Sequence, residues 1–419
     1  MHLSATSSLV QRFRDIRRQT EALCHPLQTE DFVVQPIVDV SPPKWHLGHT
    51  TWFFENFILA KFQPGYQLFH AGYNYFFNSY YESQGPRVLR SNRGNMTRPS
   101  AADIFRYRQH VDEHLSALLE NNNHLFEDND FVLTLEVGLQ HEQQHQELLV
   151  TDLKYILGNN PLFPVYQENS ASPAAQSRPA SWLEFESGLY QIGHRGDDFC
   201  WDNELSAHRV YLEDFAVLDR LITNGEYLEF MHDGGYQRFE YWLSEGWEWA
   251  KQLEEKAPLY WYHHNGEWWN YTLHGFEKVN PGLPVTHLSY FEADAFANWK
   301  GFRLPTEFEW EIACKLTQNG IPPEANFLEN GHFHPLAAQH TQFFGDVWEW
   351  TSSAYLPYPN YPRFKGALGE YNGKFMINQM VLRGGSAATP RSHIRATYRN
   401  FFHTDKRWQF TGIRLAKSL

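Results

Sequence analysis

The sequence predicts an α-helical bundle followed by an α+β domain of short strands. Three observations carry this. The chain has 419 residues, more than one ordinary core holds. Four long stretches of helical periodicity fall before residue 160. After a Ser-, Ala- and Pro-rich segment the pattern changes to short apolar runs broken by Gly, Asn and Pro.

The elements follow in order. In "MHLSATSSLVQRFRDIRRQTEALC" apolar residues recur at helical spacing, which predicts a first helix over residues 5–24. Helical patterns also cover 44–62, 100–121 and 130–158, and four helices of this length suit an antiparallel bundle. Between the second and third lies a long segment rich in Gly, Asn and Pro; a loop of that length is usually functional. The stretch "ENSASPAAQSRPA", residues 168–180, has no apolar period and reads as a linker, giving a bundle at 1–167 and a second domain at 181–419. Beyond it, helices are expected only near 223–232 and 290–299, and the Trp-rich "GEWWNYTLHG" reads as structural.

Hydrophobic content of 42% and charged content of 20% describe a soluble globular chain, and the net charge of -14 argues against general nucleic-acid binding. No apolar run is long enough to cross a bilayer, and the N-terminus lacks the apolar core of a signal peptide. Cys24, Cys200 and Cys314 are far apart and lack CxxC spacing, so a disulfide scaffold is not expected. A reducing, cytoplasmic setting is inferred.

"LQHEQQHQELLVTD" poses the chemical question. Projected at about 100° per residue, His141 and His145 fall inside the stripe of Leu135, Leu139, Leu149, Leu153 and Ile156, with Gln140, Gln143 and Glu147 opposite. Two buried imidazoles side by side match a metal ion, or else a core pair bonded to carbonyls or Asp152. His110 and His114 share the spacing but flank their stripe, and read as a solvated face. "SPPKWHLGHTTWFFENF" offers a third ligand in His46 or His49, and periodicity does not choose between them. Three imidazoles would leave coordination positions open, for two substrates or oxygen, and would equally suit a hydrolytic zinc.

"KWHLGHTTWFFE" with "LQHEQQHQE" resembles the iron-binding bundle of the EgtB-like sulfoxide synthases of ergothioneine biosynthesis. "GFRLPTEFEWE", "GDVWEWTSSAY", "VLRGGS", "YRN" and "TGIRLA" resemble the formylglycine-generating-enzyme-type domain, a relative of C-type lectins. The resemblance implies a DinB-like four-helix bundle joined to a C-type-lectin-like domain. It implies His49, His141 and His145 as ligands of Fe(II), with His46 a neighbour. The implied reaction uses O2 to join a thiol sulfur to the imidazole C2 of hercynine as a sulfoxide.

Further residues are implied by the same resemblance. Tyr80 and Tyr81 supply a phenol that can give a proton. Among Arg87, Arg90 and Arg93, the last two match positions that hold the cysteine carboxylate in the cysteine-using branch. Gln144 hydrogen-bonds the substrate. Asn400 and Phe401 match an Asn–aromatic pair near the trimethylammonium group, an aromatic face attracting a quaternary cation. Phe402 and Lys406 stand where the γ-glutamylcysteine-using branch has an acid and an arginine; an apolar ring cannot pair with an amine, so free cysteine is the expected donor. Cys200 and Cys314 lack the context of the formylglycine-forming cysteine pair. Competing readings are a selenoneine synthase, an ovothiol-type synthase and a non-catalytic lectin-like binding module. Expected partners are small molecules only, with no membrane or nucleic acid.

Overall fold

The computed structural model describes residues 2–168, 176–362 and 372–419. It divides into two compact units, Met1–Leu162 and Phe163–Leu419.

The first unit is built on four long helices: α1 (His2–Ala22), α2 (Pro43–Phe54), α3 (Ala101–Asn121) and α4 (Asn129–Gly158). Local signals set their ends. Pro43 opens α2, where its missing N–H costs nothing. Ser100 and Asp103 form a reciprocal capping box on α3, and Asp128 accepts from the Asp130 and Phe131 amides at the start of α4. After Phe54 the expected second helix continues as a π-helical turn, Glu55–Leu59, and ends at Phe62. Glu55 is buried in that turn, accepting from the Tyr66 and Tyr107 hydroxyls and the Phe69 amide.

Every residue of α2 is buried, and so is most of α4. Gln140, Gln143 and Glu147, opposite the apolar stripe in projection, are buried as well. A polar seam also runs between the helices. Glu142 accepts from Arg17 at 2.8 Å, Thr20 at 2.7 Å and Arg108 at 2.5 Å. Arg17 also bonds Asp112 and Thr51, and Gln146 donates to the Ile16 carbonyl. Every buried charge in this seam therefore has a partner. Close packing is permitted by Gly48, where a Cβ would lie 2.3 Å from the Phe77 ring, and by Gly138, where it would lie 2.7 Å from Phe54.

His110 and His114 are not on a solvated face. Both are half-buried, because the chain after α2 folds over them: Phe69 packs on His110 and Tyr66 on His114, at 5.2 and 5.3 Å between ring centroids.

The second unit begins ahead of the expected linker. The Phe163 ring stacks on Phe276 at 4.5 Å, and the Tyr166 and Gln167 amides donate to the Leu273 carbonyl. Most of the linker reading, residues 169–175, falls outside the described residues, and Ser177 and Arg178 bond Gly282 and Asp219 of the second unit. This unit has short sheets of two to four strands. Its four-stranded sheet runs in the order Asn400–Phe402, Met380–Arg383, Trp348–Ala354, Thr411–Gly412. Helices near both expected positions run Asn224–His232 and Tyr290–Lys300, with two more at Ser244–Gln252 and Glu307–Thr317. The last was readable in "TEFE", where Thr306 and Glu309 form a capping box. "GEWWNYTLHG" supplies the central strand, Glu267–Thr272, of a three-stranded sheet. The second unit is held by buried carboxylate–guanidinium clusters, including Glu307 with Arg383 and Arg399 and Glu349 with Arg414.

Candidate metal centre

Helix α2 carries Trp45, His46, His49 and Trp52 at spacings that put aromatic and imidazole rings on neighbouring turns. His49 lies between two indoles, stacked at 4.6 Å on Trp45 and 5.6 Å on Trp52. Its Nδ1 is 2.6 Å from the Phe77 carbonyl oxygen. A carbonyl only accepts, so Nδ1 carries the proton and Nε2 keeps its lone pair.

That Nε2 lies 3.1 Å from His141 Nε2. The His145 ring centroid is 4.7 Å from those of both His49 and His141. One ligand atom from each of the three histidines falls within 4.8 Å of the others, and all three residues are buried. Two nitrogens each about 2.1 Å from one ion and at right angles are about 3.0 Å apart. The His49–His141 separation fits that arrangement. Burial pushes His141 down to about 3. Burial, then the neighbouring His141, hold His49 and His145 well below the ordinary imidazole range. Neutral imidazole is the form that binds metal. Among the described residues no other group of His, Cys, Asp and Glu converges in this way.

His46 faces differently. Its Nδ1 is 2.9 Å from His145 Nδ1 and its Nε2 is 3.0 Å from Asp152 Oδ2, which also accepts from the Ser41 amide at 2.8 Å.

The segment between α2 and α3 supplies the remaining bundle residues. Tyr81 is fully buried, stacks on Tyr80 at 4.7 Å, and packs on Trp52 and Phe53, the rings that pack on His49 and His141. The three arginines separate. Arg87 pairs with Glu82, and Arg90 is exposed and donates to the Asp39 carbonyl. Arg93 is 5% exposed, lies over the Trp45 ring, and donates to the Ser41 and Ser79 hydroxyls. Its Nε is buried with no hydrogen-bond partner. Burial, then the Arg90 charge, push its guanidinium well down from the ordinary value, against Asp152. Gln144 is half-buried on α4 beside His145.

In the second unit Asn400, Phe401 and Phe402 form an edge strand against Met380–Leu382. Phe401 stacks on Tyr355 at 4.0 Å and Phe402 packs on Trp408. Lys406 pairs with its neighbour Asp405. Cys24, Cys200 and Cys314 are all free thiols. Sequence reasoning did not anticipate Trp45, Trp52, Ser41 or the Phe77 carbonyl; only the indole spacing around His49 was visible as a signal.

Comparison with known proteins agrees with this architecture. A DinB superfamily model matches residues 12–149, and a sulfatase-modifying factor enzyme 1-like domain matches 167–419. The chain is 31% identical to the hercynine oxygenase of Mycolicibacterium thermoresistibile, over 72% of this chain and 72% of that protein. It is 32% identical to that of Mycobacterium tuberculosis, over 72% of this chain and 75% of that protein. Ergothioneine biosynthesis protein 1 of Schizosaccharomyces pombe is 27% identical over 52% of this chain and 28% of its own length. With three converging histidines in the DinB-like unit and a sulfatase-modifying-factor unit following it in the sequence, the chain belongs to the hercynine oxygenase family.

Proposed function

We propose that this protein is an Fe(II)- and O2-dependent sulfoxide synthase of ergothioneine biosynthesis, joining the sulfur of free cysteine to the imidazole C2 of hercynine. The observation that carries this is the buried triad of His49, His141 and His145 in a member of the hercynine oxygenase family. The balance is simple. The C2–H and S–H bonds break, a C–S bond and an S–O bond form, and O2 leaves its second oxygen as water.

Bound Fe(II) would supply Lewis acidity toward thiol and imidazole and the redox partner for O2. The residues do the rest. The triad is made of neutral donors set by burial, and three ligands leave positions for substrates. Trp45, Trp52 and Phe53 wall it with apolar surface that excludes water. Arg93 receives the cysteine carboxylate: it is a desolvated cation without a carboxylate partner, stacked one ring away from His49. Arg87 and Arg90 add positive potential nearby. The stacked Tyr80–Tyr81 pair gives the phenol that holds or delivers a proton. Gln144 bonds the substrate imidazole or carboxylate. Asn400 and Phe401 serve the trimethylammonium group, and Phe402 and Lys406 disfavour a γ-glutamyl donor. Three unpaired cysteines support a reducing, cytoplasmic setting.

The test supplies Fe(II), O2 and hercynine with cysteine, γ-glutamylcysteine or a selenosugar and reads products by mass. Cysteine is expected to give hercynylcysteine sulfoxide. No hercynine-dependent C–S or C–Se product from any donor overturns the reading. Product from γ-glutamylcysteine alone overturns the donor, and product from the selenosugar alone makes the enzyme a selenoneine synthase.

A further inference from the structure

His46 is buried beside the triad, two turns of α4 separate His145 from Asp152, and His46 fills the space between them. The contact between His46 Nδ1 and His145 Nδ1, at 2.9 Å, needs one proton, and either ring could hold it. Asp152 decides. Its carboxylate oxygen lies 3.0 Å from His46 Nε2 and only accepts, so Nε2 must carry the His46 proton. With that as its single ring proton, His46 has a bare Nδ1, and His145 Nδ1 must donate to it. That leaves His145 Nε2 as the lone-pair nitrogen. In the reverse arrangement a His46 lone pair would face a carboxylate lone pair at 3.0 Å, and His145 Nε2 would carry a hydrogen.

We propose that Asp152 and His46 form a hydrogen-bond relay that fixes His145 in its metal-ligating tautomer and orientation. The inference rests on the metal-centre reading above and deepens it. Asp152 is itself held by the Ser41 amide, and the Ser41 hydroxyl accepts from Arg93, so the relay is anchored to the segment that precedes α2. The triad is thereby unequal. His49 leans on a neutral carbonyl of Phe77, whereas His145 is backed, through His46, by a carboxylate, which makes it the more basic donor. His46 and Asp152 are positioning residues; neither is a ligand.

The test measures Co(II) affinity and the visible Co(II) spectrum of the full chain. Wild type is compared with His46→Phe, His46→Asn, Asp152→Asn and His145→Ala, with far-UV circular dichroism and melting of each apo form. His46→Phe removes the acceptor for His145 and is expected to weaken Co(II) by about 10- to 100-fold and to shift the spectrum. His46→Asn can place an amide oxygen near the lost Nδ1 and is expected to recover most of that loss. Asp152→Asn weakens binding by about 10-fold. A folded His46→Phe protein with affinity within about threefold of wild type and an unchanged spectrum overturns the relay. Should that variant fail to fold, wild-type affinity in Asp152→Asn overturns it instead. His145→Ala separates the two levels. If wild type binds Co(II) no better than His145→Ala, the three-histidine centre fails and the relay with it. If His145→Ala alone loses binding, only the relay fails.

Discussion

The Arg93 guanidinium carbon lies 3.3 Å from the centre of the Trp45 ring, and His49 stacks on the same ring at 4.6 Å. One indole thus separates a buried cation from a candidate metal ligand. The cation is costly, since only two hydroxyls accept from its terminal nitrogens and its Nε has no partner. An incoming carboxylate would offset that cost.

This gives a prediction of mixed sign. Arg93→Met is expected to leave stability unchanged or higher, because it removes a buried charge that has no carboxylate bonded to it. It is expected to raise KM for cysteine by about 10- to 150-fold, matching the roughly 1.5–3 kcal/mol of a charged hydrogen bond. KM for hercynine should change little. Arg90→Ala, which removes an exposed side chain tied to the Asp39 carbonyl, should change KM for cysteine by less than about threefold. Steady-state kinetics and thermal melting check all four.

The three imidazoles should be individually necessary for metal. His49→Ala, His141→Ala and His145→Ala are each expected to lower bound iron after anaerobic dialysis to a small fraction of wild type, measured by elemental analysis. His110→Ala should retain it, since that ring packs on Phe69 away from the converging group. Iron retained by two of the three ligand variants would reject the triad.

Gly48 is predicted to be a packing residue with a chemical consequence. A methyl at Gly48 would press into the Phe77 ring, whose own carbonyl receives the His49 proton. Gly48→Ala is expected to destabilise the first unit by about 1–3 kcal/mol and to weaken metal binding as Phe77 shifts. Denaturant unfolding and a metal titration read the two effects separately.

Glu307 tests the second unit. It accepts from Arg383 at 2.8 Å and from Arg399 at 2.8 and 2.9 Å. Burial alone would raise its carboxyl, but Arg399 and then Arg383 outweigh that and hold it below the ordinary value. A carboxyl lowered in the folded state contributes stability above its unfolded value of about 4.3, and that contribution is lost as pH falls through the folded value. Glu307→Gln should therefore cost about 3–5 kcal/mol at pH 7, and the gap from wild type should narrow below about pH 4. Denaturant melts at the two pH values decide it.

Much of the arrangement was legible in the chain itself. Periodicity located the bundle helices to within a few residues at most ends, because amphipathic spacing and capping residues are local properties. It also placed His141 and His145 together on an inward face of α4. The capping box that starts the helix at Glu307 is equally local and is legible in the residue types alone. The expected exposure of His110 and His114 was wrong because a flank of a helix is solvated only if no other segment covers it, and here residues 63–70 do.

What the sequence determined by itself is which residues share a turn, a face or a cap, since those follow from backbone geometry over a few positions. The tertiary structure alone decided the partners. It set His49 between two indoles with its Nδ1 on the Phe77 carbonyl, turned His46 toward Asp152, and buried Arg93 while leaving Arg90 in water. The physical reason is that a ring's tautomer and a cation's burial depend on acceptors and surfaces brought from distant parts of the chain, and no local period encodes those.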